Sequence, residues 1–101
     1  MSDNFLRPEV LAFAHVMETR LRANDHKRGW KDADPMWLRR RVNDELREMD
    51  AELWRTGALP DRERIVEEAA DAANFLMMLS DVLGALGLAA LASTEEPRHA
   101  G

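Results

Sequence analysis

The stretch IVEEAADAANFLMMLSDVL, from Ile65 to Leu83, decides the fold. It holds neither Gly nor Pro, and Ala, Leu and Met dominate it, so helix is the favoured local conformation. Apolar residues run all the way round that helix. Ile65, Ala69, Ala72, Leu76, Leu79 and Leu83 mark one face, and Ala70, Ala73, Met77 and Val82 cover much of the rest. A helix apolar on every side is expected to be buried on every side. Glu68, Asp71 and Asn74 nevertheless recur inside it at spacing three, stacked on one stripe. Unpaired carboxylates in such a setting are costly, so basic side chains or metal ions must meet them.

Working outward, the second helix has a strong start: Asp34 suits an N-cap and Pro35 the first helical position. Leu38, Val42, Leu46, Met49 and Leu53 form its apolar stripe to Thr56, and Gly57 with Pro60 ends it. Glu45 falls three residues after Val42 and four before Met49, on the buried side; Glu48 lies on the shoulder, and Glu52 is read as a solvated acid. The short link to Asp61, which can cap the third helix, predicts that helices two and three run antiparallel. Glu45 and Glu48 would then come within reach of Glu68 and Asp71. A four-carboxylate cluster repels itself unless a hard divalent cation joins it, and Mg²⁺ with oxygen ligands fits best.

A first helix is predicted from Pro8, with the stripe Val10, Phe13, Ala14, Met17 and Leu21 and with His15 on its solvated side. Between the first two helices, His26-Lys27-Arg28-Gly29-Trp30-Lys31 gathers cations and an aromatic ring around a glycine. That mixture suits a polyphosphate and a planar base. Taken alone, it is better read as a basic surface loop whose Trp folds back as a plug. After Leu83, Gly84 and Gly87 interrupt the helix; the run Ala85 to Ala92 fits either a short fourth helix or an extension, and Ser93 to Gly101 a frayed tail.

Bulk properties agree with one small all-α domain spanning residues 1–101. With 46% hydrophobic and 33% charged residues, the 101-residue chain has a globular composition. A net charge of −5 argues against a nucleic-acid polymer as partner. Cysteine is absent, which excludes a disulfide framework and thiolate metal sites. No secretory signal or membrane span is evident, so a cytoplasmic location is the expectation. Two helices from so short a chain cannot cover an all-round apolar third, so the antiparallel bundle is expected to be completed by oligomerisation.

Asp44-Glu45-Leu46-Arg47-Glu48 resembles the E-E-x-x-E element of the MazG-like all-α nucleoside triphosphate pyrophosphohydrolases, with Asp in place of the first Glu. Glu68-Ala69-Ala70-Asp71 resembles its E-x-x-D partner, and the loop from His26 to Lys31 is similar to the basic, Trp-containing loop of some small members. The resemblance covers roughly Ala23 to Leu83. It implies a homodimer or homotetramer and hydrolysis of a (deoxy)nucleoside triphosphate to the monophosphate and pyrophosphate, a nucleotide-pool house-cleaning reaction. By that likeness Glu45, Glu48, Glu68 and Asp71 are the ligands of Mg²⁺, with Mn²⁺ as substitute, and Asp44 and Glu67 are outer acids. Glu48 is the candidate to orient or deprotonate the attacking water. Lys27, Lys31 and Arg28 are assigned to phosphates, Trp30 to stacking on the base, and Asn74 to sugar or base. The family's Lys, Asn and Arg-Pro series after the last helix is matched only by Pro97-Arg98.

Two other readings compete. A non-catalytic helical interaction module would dock a partner on the third helix, but has no use for Glu45, Glu68 and Asp71 on buried faces. A di-iron carboxylate bundle expects Glu-x-x-His pairs, which neither motif contains.

Overall fold

The computed structural model describes residues 5–25, 27, 29–55 and 57–87. Three helices account for its regular structure: α1 (Pro8–Ala23), α2 (Pro35–Leu53) and α3 (Arg62–Val82). There is no strand among the described residues, and no helix there is long and apolar enough to cross a membrane.

Local chemistry explains the boundaries. Pro8 opens α1, where its missing N–H costs nothing, and Glu9 lies in the positive first turn. The Asp34 carboxylate accepts from the Trp37 N–H to cap α2, and Asp61 accepts from Glu63 and Arg64 to cap α3. At its far end α3 closes in a Schellman turn: Gly84 N–H bonds Asp81 C=O at 2.9 Å and Ala85 N–H bonds Ser80 C=O at 2.8 Å. Gly84 takes φ 74° to do so, a left-handed conformation that a Cβ disfavours. Residues 83–87 therefore turn away, and an extension of α3 through Ala85 is excluded. The rest of the expected fourth helix, the 93–101 tail and Pro97-Arg98 lie outside the described residues.

α2 and α3 are antiparallel and make the main packing of the chain, with α1 laid against α3. Trp37 meets Phe75 edge-on at 6.2 Å, Glu45 faces Glu68, and the Glu52 carboxylate accepts from the Asp61 N–H at 2.7 Å. The hairpin is thereby in register from end to end. The core is thin: Leu38, Val42, Ala70 and Ala72 are its buried apolar residues among those described.

Several expectations need correction. α2 ends at Leu53, before Thr56, because the chain turns at Trp54. Its packed seam runs through buried Leu38, Val42 and Glu45 to half-buried Met49 and Glu52, while Leu46 and Leu53 are 40% and 38% exposed. Glu52 is not a solvated acid: only 14% of its side chain is exposed, and it pairs with Arg55 at 3.2 Å while holding Asp61. On α1, Val10 and Ala14 face solvent, whereas Val16 and Arg20 share the half-buried side with Phe13, Met17 and Leu21. The face is rotated because α1 packs mainly against α3. Finally, α3 is not buried all round within one chain; Val66, Leu76 and Leu83 are exposed.

Candidate metal and phosphate cleft

The acids of α2 and α3 meet where the antiparallel helices cross mid-length. Ligand oxygens of Glu45, Glu48 and Glu68 lie within 4.8 Å of one another, Glu45 and Glu68 buried and Glu48 exposed. They line an open cleft of about 1070 Å³ whose other walls include Arg20 from α1, Lys27 and Trp30 from the loop, and Trp37, Asn74 and Phe75.

Each buried acid has an arginine four residues earlier on its own helix. Arg41 reaches Glu45 at 3.4 Å and Asp44 at 2.6 Å, and Arg64 reaches Glu68 at 3.2 Å. These arginines engage one oxygen each, Oε2, and leave the buried Oε1 of Glu68 with no hydrogen-bond donor. An orphaned carboxylate oxygen is a costly group that a cation would satisfy. The proton can serve as well. Burial, and then the charges of Glu48 and Asp71, push the Glu45 carboxyl up to about 7. Glu68 is raised too, first by burial and then by Glu48. Three carboxylate oxygen donors with an unmet buried oxygen could hold a metal ion.

Asp71 stands apart from the other three. Arg20 grips it side-on, Nε to Oδ1 at 3.0 Å and Nη2 to Oδ2 at 2.9 Å, and extends Nη1 to within 3.8 Å of Glu67. The structure thus brings together three of the four expected carboxylates and gives the fourth to an arginine. Arg20 was not among the expected site residues. Its signal in the sequence is spacing: it follows Phe13 by seven residues and Met17 by three, on the side of α1 that turns to α3.

The expected substrate-contacting residues separate similarly. Lys27 and Trp30 line the cleft. Trp30 donates Nε1–H to Asp81 Oδ2 at 2.8 Å, which ties the loop to the last turn of α3 and leaves the indole body as cleft wall. Lys31 is held by the same carboxylate at 2.5 Å and is not part of the cleft lining. Those two hydrogen bonds, from Lys31 first, hold the Asp81 carboxyl below its usual range. Asn74 is 4% exposed; it donates Nδ2–H to the Met17 carbonyl at 3.0 Å, and its Oδ1 has no donor. His26 and Arg28 lie outside the described residues. Sequence reasoning also missed Trp37, whose ring lies in the cleft beside Arg41 and Phe75.

No family model, curated protein or solved structure matches the chain.

Proposed function

We propose that this chain is a Mg²⁺-dependent nucleoside triphosphate pyrophosphohydrolase of the MazG-like kind, working as a homo-oligomer. The observation that carries this reading is the meeting of Glu45, Glu48 and Glu68 within 4.8 Å in a cleft shared with basic side chains and two indoles. The acids suit a divalent ion, Lys27 and the arginines suit phosphate, and the Trp30 and Trp37 faces suit a base.

The roles follow from position. Glu45 and Glu68, buried and fixed by Arg41 and Arg64, form the floor of the ion site; Glu48 closes it from the exposed side. A bound ion offsets phosphate charge and lowers the pKa of water near phosphorus. Glu48 has no arginine partner among the described ion pairs, which supports it as the group that would accept a proton from the attacking water. Asn74 Oδ1, buried and without a donor, can take a hydrogen bond from the sugar or base. Trp30 is held through its nitrogen and offers only its ring.

Product analysis tests the reading. With Mg²⁺ and a panel of ribo- and deoxynucleoside triphosphates, anion-exchange chromatography should show monophosphate and pyrophosphate and no diphosphate intermediate. Glu48→Gln should lose turnover by about a hundredfold or more while the circular dichroism stays helical. Diphosphate with free phosphate would refute the reaction class. Absence of turnover on every nucleotide would favour the interaction module.

A further inference from the structure

Arg20 is the one cation that reaches the acids from α1, and it takes both oxygens of Asp71. That carboxylate lies one helical turn beyond Glu68 on α3 and lines the same cleft as Glu45, Glu48 and Glu68. Arg20 also lines the cleft, with 32% of its side chain exposed, so its guanidinium has room to change partners. A planar fork that fits a carboxylate bidentately fits a phosphate equally well. A divalent ion settling among Glu45, Glu48 and Glu68 would attract the Asp71 carboxylate and repel the guanidinium bound to it.

We propose that Arg20 and a divalent cation compete for Asp71, and that the guanidinium displaced by the ion passes to the phosphate chain of the substrate. This rests on reading the cleft as an ion and polyphosphate site. Arg20 is then a positioning residue with two partners in turn. It restrains Asp71 while no ion is bound, and it adds a phosphate contact only once the ion is in place. Ion and nucleotide therefore bind in order, with the ion strengthening the site for phosphate by more than its own charge.

Mn²⁺ binding followed by the electron-spin signal of the free ion tests the first half directly, with no turnover involved. Arg20→Met keeps the length of the stem and removes the charge and the fork; it should bind Mn²⁺ about tenfold more tightly than the natural chain. Arg20→Lys keeps the charge without the fork, should gain less, and serves if the Met variant does not fold. Equal or weaker Mn²⁺ binding by both variants would overturn the competition, since an arginine that merely holds Asp71 in place for the ion must weaken binding when lost. For the second half, the probe is a triphosphate with a methylene bridge between its α and β phosphorus atoms. With Mn²⁺ saturating, Arg20→Met should bind it about tenfold more weakly; undiminished affinity would overturn the handover. Glu68→Gln separates this proposal from the reading beneath it. If it binds Mn²⁺ as well as the natural chain, the acids are not the ion site, and both fall together.

Discussion

Glu45 is the side chain on which charge, burial and proton meet. Its pKa moves from 4.5 to about 7, with burial as the main cause. An acid raised on folding binds a proton more tightly in the folded chain, so its contribution is fully present below pH 4.5 and is lost as pH climbs through about 7. Glu68 shifts in the same direction. In a chelator, thermal stability is therefore expected to fall between these limits, and Glu45→Gln should flatten that fall by removing the ionisable group. Adding Mg²⁺ should reverse the trend, because the ion binds the deprotonated acids. A natural chain and a Glu45→Gln variant with identical pH profiles in chelator would contradict this. The sequence made Glu45 and Glu68 legible, since helical spacing alone puts them on buried faces. The position of Asp71 was half legible: spacing set its stripe, but its partner Arg20 stands 51 residues away on another helix, and no local pattern encodes that pairing.

At the scale of elements, every signal that acts within a few residues was readable. The Pro8 and Pro35 starts, the Asp34 and Asp61 caps and the Gly84 stop each rest on a backbone group that one nearby residue satisfies or frees. What failed was the assignment of faces. The apolar pattern of α2 runs through Leu46, yet the seam passes through Glu45 and Glu52 and leaves Leu46 40% exposed. Hydrophobicity ranks Leu above Glu, but here Glu45 shares Arg41 with Asp44 and Glu52 holds the Asp61 N–H, so polar pairing decides. On α1 the same ranking chose Val10 and Ala14 over Arg20. A stripe shows that a helix has a partner; it does not show which side a single partner covers. In the loop before α2, Trp30 is folded back onto Asp81, as the reading of a surface loop expects, and its ring forms part of the cleft wall.

For the whole molecule, one chain leaves its apolar account open. Trp54 is 78% and Leu59 87% exposed, and Val66 and Leu76 stand clear on α3. A second hollow, lined by Arg62 and the apolar Leu53, Leu59, Pro60, Ile65, Val66 and Ala69, lies at the α2–α3 turn. We propose that these residues meet a second copy of the chain, which would supply matching apolar residues by symmetry. Sedimentation at micromolar concentration should give a dimer or larger, and Leu59→Glu should shift it toward monomer without loss of helix. A natural chain sedimenting as a folded monomer would remove this proposal and leave those residues for another partner. The link between α1 and the rest has a different character. α1 has no fully buried side chain; beside its half-buried Phe13, Met17 and Leu21, polar contacts tie it to α3: Arg20 on Asp71 and Glu67, and Asn74 on the Met17 carbonyl. A helix held this way can lift off while the α2–α3 hairpin stays closed, as a separate unit of opening. Its amide hydrogens should exchange with deuterium sooner than those of α3, and a divalent ion that draws Arg20 from Asp71 should hasten α1 while slowing α3; equal protection of both helices would count against it. If an ion does draw Arg20 from Asp71, the guanidinium would act as the hinge pin of the cleft, and a ligand would enter by the loosening of a helix rather than by the movement of a loop.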